Sequence, residues 1–231
     1  IKDSTNAIIQ QDKLKYPTVP TVDFYVFGDY KFLWKDKIEL NTGVQLFTYF
    51  AHKKSFFYPQ PRMEIIFHPI TGMSLRASVL RTVQPMHLLT NNTGDILNDV
   101  WVPATQKVEP ETAWQYSGGI QYDHPKGYTA SIDGYYKSMH HLSEYKYGTT
   151  FILDKISWDD QLLNSGKGIA YGMELFFAKT KGQFTAWLKY NLGWSTRNYP
   201  EINEGKTFYY KYDRRNDFSI VLQYKLKKIL T

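Results

Sequence analysis

Hydrophobic and polar residues alternate along much of the chain, most clearly between Trp114 and His140. In the first arm of this stretch, apolar or small residues occupy every second position, at Trp114, Tyr116, Gly118, Ile120 and Tyr122. After a turn at HPKG, the pattern resumes at Tyr128 and continues toward Lys137. Period two predicts strands, because successive side chains of a strand point to opposite faces. Each arm has about ten residues, which is the length that a tilted strand needs to cross the hydrocarbon core of a membrane.

The same period predicts seven further strands. They are Val22–Trp34, Ile38–Phe50, Arg62–His68, Met73–Val83, Gly168–Ala178, Phe184–Trp194 and Phe218–Leu226. Residues 1–21 are predicted to be irregular. Short turns are predicted to alternate strictly with longer loops, which are His52–Pro61, a stretch of nearly thirty residues containing Trp101 and Pro103, 142–166 and 196–215. This alternation is typical of outer-membrane barrels, which have short periplasmic turns and longer extracellular loops.

One face of each predicted strand is apolar and the other is polar, so we expect the first to face lipid and the second to face a lumen. The charges predicted on the lumen side are nearly balanced in sign. They are Lys31, Arg62, Arg76, Lys137, Lys189 and Lys225 against Asp23, Asp29, Glu39, Glu64, Asp123, Asp133 and Glu174. A selective pore would carry one dominant sign. Balanced charges favour a wall that pairs with itself or with a polar plug.

Nine is an odd number of strands, whereas complete bacterial barrels have an even number. The predicted fold class is therefore all-β, an antiparallel up-and-down transmembrane β-barrel arc of about nine long strands from a larger barrel. Residues 1–231 are expected to form this partial barrel without a plug domain. No helical period occurs in the sequence, and no run of 18 apolar residues predicts a membrane helix.

Composition narrows the possible functions. Aromatic residues make up 17% of the 231 residues, and the mean hydropathy of −0.46 suits a barrel, in which only alternate strand residues meet lipid. The chain has no cysteine, which excludes disulfides, cysteine-ligated zinc and thiol nucleophiles. The net charge of +6 is scattered rather than clustered, so no nucleic-acid partner is predicted. No catalytic, cofactor-binding or metal site is predicted, and the chain is not expected to be an enzyme.

Several longer stretches resemble the C-terminal half of TonB-dependent outer-membrane receptors. They are KVEPE at Lys107–Glu111, DGYYK at Asp133–Lys137, GKGIAYGMEL at Gly166–Leu175, GQFTAWLKYNLGWSTR at Gly182–Arg197 and YDRRND at Tyr212–Asp217. The resemblance is strongest over residues 100–226.

The resemblance implies a barrel of about 22 strands with a plugged lumen in the outer membrane of a Gram-negative bacterium. The implied function is import of a scarce nutrient, which could be a siderophore, cobalamin, a peptide or a glycan. The implied partners are outer-membrane lipid, the TonB complex through a missing N-terminal part, and the nutrient itself. An adhesin or anchor barrel and a barrel enzyme remain the alternatives.

Exposed aromatic residues on long loops are candidates for substrate contact. Such residues occur at His52, Phe56, Phe57, Tyr58 and Trp101, and Arg197 is added at the end of the longest family match. Packing of one loop on another is the simpler alternative explanation for these residues.

Overall fold

A computed structural model describes residues 20–51, 54–89, 100–146 and 157–226. These residues form twelve strands. They are β1 (Thr21–Trp34), β2 (Ile38–Ala51), β3 (Lys54–Phe67), β4 (Met73–Gln84), β5 (Met86–Leu89), β6 (Val100–Pro103), β7 (Glu111–His124), β8 (Tyr128–Tyr145), β9 (Leu162–Lys179), β10 (Phe184–Asn198), β11 (Phe208–Tyr209) and β12 (Asn216–Tyr224). Two short 3-10 turns lie at Trp158–Gln161 and Asn203–Gly205. No helix among the described residues is long and apolar enough to cross a bilayer.

Ten strands form one antiparallel sheet in the order β1-β2-β3-β4-β7-β8-β9-β10, with β11 and β12 both paired to β10. Strands β5 and β6 form a separate two-stranded hairpin. All nine predicted strands are present, and each pairs antiparallel with its neighbour in sequence. The predicted up-and-down fold is therefore confirmed, although several predicted boundaries are wrong.

The largest boundary error concerns the predicted loop His52–Pro61. Strand β3 begins at Lys54 and pairs with β2 along its whole length, so the connection between them is only residues 52 and 53. The strict alternation of short and long connections therefore fails at this point. The error arises because Pro59 and Pro61 suggest a loop, although both lie within β3. Strand β3 pairs with β4 only over residues 62–67, so the two prolines have a single neighbouring strand. Proline is tolerated at such edge positions because no second strand there needs a hydrogen bond from the backbone N–H that proline lacks.

Other predicted loops are partly structured. The long stretch after β4 contains the hairpin of β5 and β6. The predicted loop 142–166 is too long at both ends, because β8 continues to Tyr145 and β9 starts at Leu162. A bulge at His141, where φ is 58°, shifts the register of β8 against β9 and allows β8 to continue.

The two faces of the sheet are called here the apolar face and the polar face. The apolar face carries large exposed side chains such as Phe24, Tyr116, Ile132 and Leu222. The polar face carries the charged residues predicted for the lumen. Three buried clusters lie where the longer connections meet the strands, and they are built around Tyr49, Tyr199 and Val108.

The opposite end of the sheet is a row of short turns, called here the turn rim: residues 35–37, 68–72, 124–127 and 179–183. The turn after β1 has positive φ at both Lys35 and Asp36 and closes with a Lys37 N to Trp34 O hydrogen bond of 3.0 Å. These are the features of the two-residue turn whose twist matches that of a hairpin.

Neighbouring turns of the rim are joined by backbone hydrogen bonds. The bonds are His68 N to Lys37 O at 2.8 Å, Asp123 N to Gly72 O at 2.7 Å, Thr180 N to Gly127 O at 2.8 Å and Lys225 N to Gln183 O at 2.8 Å. The turn rim is therefore continuous across the sheet.

Candidate functional site

The polar face is built from ion pairs that cross over glycine. Asp29 on β1 and Arg62 on β3 both lie opposite Gly43 on the intervening strand β2. The guanidinium group of Arg62 donates from Nε to Asp29 Oδ1 at 2.8 Å and from Nη2 to Asp29 Oδ2 at 2.5 Å. A methyl group at Gly43 would overlap the Asp29 carboxylate. Gly43 therefore leaves the space through which this pair reaches across a strand.

The same arrangement recurs three strands away. Arg76 on β4 and Asp133 on β8 lie opposite Gly119 on β7. Arg76 donates from Nε and Nη2 to the two carboxylate oxygens of Asp133, each at 2.9 Å. A methyl group at Gly119 would overlap this carboxylate as well. Two-point pairing of this kind fixes both side chains in the plane of the sheet.

An uncharged version occurs further along the sheet. The ring of Tyr135 on β8 reaches across Gly172 on β9 to Gly193 on β10, and a methyl group at either glycine would lie 2.8 Å from its hydroxyl oxygen. The long side chains of the polar face thus lie along the wall instead of standing away from it.

Most of the charges predicted for the lumen are neutralised within the wall. Besides the two pairs over glycine, Lys31 lies 2.7 Å from Glu39 and Lys189 lies 3.1 Å from Glu174. Asn41 donates to Glu39 at 2.8 Å and to Glu64 at 3.2 Å. This pattern agrees with the prediction of a wall that pairs with itself.

At the loop end, an aromatic cluster covers the polar face of β2 and β3. Phe47, Tyr49 and Phe56 are buried, and adjacent rings in the series from Phe47 to Tyr58 have centroids 6.3–6.4 Å apart. Fully buried Ala104 packs on the cluster and accepts a hydrogen bond from the Tyr49 hydroxyl at 3.2 Å. The connection after β6 therefore folds back over the polar face.

Residues 104–110 form a strap across this end of the sheet. On one side, Lys54 Nζ donates to Glu109 Oε1 at 2.8 Å. On the other, Glu109 N donates to Asn164 Oδ1 at 2.8 Å, and Asn164 Nδ2 donates to Glu109 O at 3.2 Å. Lys107 also pairs with Asp160. The hydrogen bond from Lys54 lowers the pKa of the Glu109 carboxyl, and the charges of Lys54 and His141 lower it further.

A fully buried histidine links the strands at the strap end of the sheet. His87 on β5 has Nδ1 3.2 Å from Glu111 Oε1 and 3.0 Å from Ser143 Oγ. Its Nε2 atom is buried and has no hydrogen-bond partner among the described residues. His87 thus joins the hairpin of β5 and β6 to the ends of β7 and β8.

The predicted substrate-contacting residues do not form one site. His52 lies outside the described residues. Phe56 is only 6% exposed and belongs to the aromatic cluster, whereas Phe57 points to the other face and is 61% exposed. Tyr58 is half-buried, with the Arg81 guanidinium carbon 5.6 Å from its ring centroid. Phe56 and Tyr58 on β3 therefore pack against the segment that follows β6.

The other two predicted contact residues lie apart from these. Trp101 on β6 is 57% exposed. Arg197 is half-buried at the end of β10, with its guanidinium carbon 4.1 Å from the Tyr210 ring centroid and its Nη1 donating to Ser195 Oγ at 3.1 Å. Beside it, burial raises the pKa of the Tyr199 hydroxyl. Arg197 is thus held by contacts with Tyr210 and Ser195.

Sequence reasoning missed the residues that hold the strap, among them His87 and Asn164. Glu109 and Glu111 were noticed only as part of the KVEPE match. The available signal was the position of this motif directly before β7, where a polar segment with two carboxylates precedes a strand.

The chain matches a protein-family model. The model for the TonB dependent receptor-like β-barrel matches residues 2–227, which is nearly the whole chain. The chain belongs to this family. Members of the TonB-dependent receptor family lie in the outer membrane of Gram-negative bacteria, which confirms the predicted location and fold class. They are receptors and not enzymes, in agreement with the prediction. A comparison with curated proteins finds no match.

Solved structures share the fold at low sequence identity. The FrpB iron transporter from Neisseria meningitidis (F3-3 variant) superposes with a TM-score of 0.66 at 12% identity, covering 92% of this chain and 32% of its own. The ferric-catecholate import receptor Fiu from E. coli K12 gives 0.65 at 13%, covering 90% and 32%. The ferripyoverdine receptor of Pseudomonas aeruginosa gives 0.64 at 14%, covering 91% and 27%. The chain therefore spans about a third of the length of these receptors.

Proposed function

We propose that this chain forms part of the barrel wall of a TonB-dependent receptor that imports a scarce nutrient across the outer membrane. The observation that carries the proposal is the family match over residues 2–227. The polar face supports it, because charges paired within the wall suit a barrel filled by a polar domain better than an open pore selective for one sign of charge.

In this proposal the apolar face meets lipid, and the polar face meets a plug domain supplied by another part of the receptor. The ligand is captured by loops at the strap end, and the TonB complex then moves the plug. The strap matters to this mechanism because it fixes the position of one loop over the polar face.

The substrate is the finer part of the proposal. Siderophores, cobalamin, peptides and glycans are all compatible with the fold. The solved structures named above are described as iron transporters or receptors of ferric chelates. Ferric siderophores are accordingly the first ligands to assay.

The test is uptake by cells that express the complete receptor and lack their other receptors of this family. Radiolabelled ligands of the four classes are supplied with and without TonB and with and without an uncoupler of the proton gradient. We expect accumulation of one class that needs both TonB and the gradient.

Two outcomes would contradict the proposal. Equal uptake with and without TonB would mean a passive channel. Failure to accumulate any of the four classes, together with receptor-dependent attachment of the cells to surfaces, would favour the adhesin alternative.

A further inference from the structure

The turn rim is rich in lysines that have no carboxylate partner. It carries the side chains of Lys35, Lys37, Lys126, Lys179 and Lys181. None of the five lies within ion-pairing distance of a carboxylate in the described part of the chain. The same turns hold a single acidic residue, Asp36, so the rim has a net positive charge.

At the opposite end of the sheet, several cations have carboxylate partners. Lys54, Lys107, Lys206 and Arg215 each pair with an acidic residue there, Lys54 with Glu109 at 2.8 Å and Arg215 with Asp213 at 3.2 Å, whereas Lys167 and Arg214 have no carboxylate partner among the described residues. Pairing of cations with carboxylates is thus more frequent at that end than along the turn rim.

Two of the rim lysines lie at the border of the apolar face. Lys35 Nζ is 5.2 Å from the ring centroid of Trp34, and Lys179 Nζ is 5.6 Å from that of Phe184. Both rings belong to the apolar face. A lysine beside an aromatic ring at the edge of an apolar surface extends its ammonium group into the polar layer of a membrane.

Aromatic rings continue this border across three strands. Tyr122, His124, Tyr128 and Phe177 follow one another on the apolar face with ring centroids 6.2–6.3 Å apart. Next to them, Lys181 Nζ donates to Pro125 O at 2.8 Å, which holds this lysine against the neighbouring turn. Lys179, which lies opposite Tyr128, and Lys181 are therefore next to this row of rings.

The turns that carry these groups are joined to one another. Backbone hydrogen bonds join each turn to the next, including His68 N to Lys37 O and Thr180 N to Gly127 O, both at 2.8 Å. Short turns of this family of folds face the periplasm. The membrane leaflet on that side presents phospholipid headgroups at the height of the aromatic row.

We propose that the turn rim is a binding site for anionic phospholipid headgroups of the periplasmic leaflet, with Lys35, Lys126, Lys179 and Lys181 as the phosphate-binding side chains. Ammonium groups without carboxylate partners are free to pair with lipid phosphates, and their attraction to an anionic surface is additive. The location of Lys35 and Lys179 on the lipid-facing side favours a lipid over a soluble acidic partner. This inference requires that the apolar face is embedded in a membrane, but it does not depend on which nutrient is imported.

The test is native mass spectrometry of the complete receptor titrated with phosphatidylglycerol or with phosphatidylethanolamine. The rim variant combines Lys35→Gln, Lys126→Gln and Lys181→Gln. A matched variant removes three charges at the opposite end, by Lys167→Gln, Lys206→Gln and Lys211→Gln. We expect wild type to bind phosphatidylglycerol more tightly, and this preference to weaken by about fivefold for each rim lysine removed. The matched variant should stay near wild type, and high salt should reduce the preference of wild type.

A third variant with arginine at the three rim positions keeps the charge and should keep the preference, and heat-modifiable gel mobility verifies folding of every variant. Equal binding of the two lipids by wild type would overturn the proposal whether or not any variant folds. An unchanged preference in the folded rim variant would overturn it as well. If the rim variant keeps its lipid preference but no longer sediments with peptidoglycan, the lysines bind the cell wall and the lipid assignment is wrong.

Discussion

The two faces of the sheet use glycine in opposite ways. On the polar face, Gly43, Gly119 and Gly172 are each covered by a side chain from a neighbouring strand. On the apolar face, a methyl group at Gly28 would have no neighbour within 4 Å, and one at Gly118 would have its nearest neighbour at 3.5 Å. Side chains of the polar face therefore pack against neighbouring strands of the same wall. Side chains of the apolar face leave the space over its glycines open. The difference suits a wall with protein or water on one side and lipid on the other.

The largest expected effect comes from placing a charge on the apolar face. Leu188 on β10 lies opposite Phe177 and Ile220, in the interior of that face. Leu188→Arg should cost about 2–4 kcal/mol of folding stability in a bilayer, because the guanidinium group is moved into hydrocarbon. The measurement is urea unfolding of the complete receptor in vesicles.

Lys189, the next residue, provides the control on the polar face. Its partner Glu174 is 3.1 Å away and both side chains are nearly half exposed, so Lys189→Leu should cost no more than about 1 kcal/mol. Equal losses at the two positions would show that the two faces are assigned wrongly.

A smaller effect is expected from filling the space over a polar-face glycine. In Gly119→Ala, the new methyl group displaces the Asp133 carboxylate from Arg76 and lies 2.9 Å from the carbonyl oxygen of Ile132. Overpacking of this kind costs about 1–3 kcal/mol. Gly118→Ala, on the apolar face, should be neutral or stabilising by up to about 1 kcal/mol, because alanine restricts the unfolded chain. Thermal unfolding of both variants measures the difference.

The source of that loss can be separated with a double-mutant cycle. Asp133→Ala removes the carboxylate that the methyl group would overlap, so Gly119→Ala should be less harmful in the Asp133→Ala background. The expected interaction energy between the two changes is about 1 kcal/mol, within the range of contacting residues. Strictly additive losses would assign the penalty to the Ile132 carbonyl and would refute the role of Gly119 in the ion pair.

The smallest effect concerns the strap over the polar face. Lys54 lowers the pKa of Glu109, so this carboxylate stabilises the strap above its ordinary pKa of 4.5, and the stabilisation is lost as the pH falls through the lowered value. The two side chains are 35% and 37% exposed, which limits the effect to less than about 1 kcal/mol. Hydrogen exchange at the amides of Val108 and Glu109, corrected for intrinsic rates, should show reduced protection in acid.

Lys54→Gln is the control for the strap. Without the ammonium group the pKa of Glu109 returns toward its ordinary value, so protection should depend less on pH. An unchanged pH dependence in this variant would mean that the acid sensitivity of the strap arises elsewhere.

Alternation along the sequence was sufficient to predict nine paired strands and the two faces, because a strand exposes its side chains with a fixed period of two. The outward orientation of Leu188 follows from that period alone, whereas its pairing opposite Phe177 and Ile220 depends on the register of the strands. The prediction failed where residue type and strand pairing disagree. Pro59 and Pro61 suggested a loop, although they lie in β3, beyond the end of its pairing with β4.

The candidate site was less predictable. The Arg62–Asp29 and Arg76–Asp133 pairs depend on which residues lie two strands apart, and that register is fixed only when the strands are assembled. The burial of Phe56 depends on Ala104, which is 48 residues further along the chain. Local patterns carry no information about such contacts, so exposed loop residues and covered ones look alike in the sequence.

The hydrogen bonds that join the short turns also have a mechanical consequence. A pull applied to one turn, for instance from His124 to Gly127, is transmitted through Thr180 N to the next hairpin and through Asp123 N to the previous one. The load is thus shared among neighbouring hairpins along the turn rim. The turn rim would thus keep its shape when one of its turns is displaced.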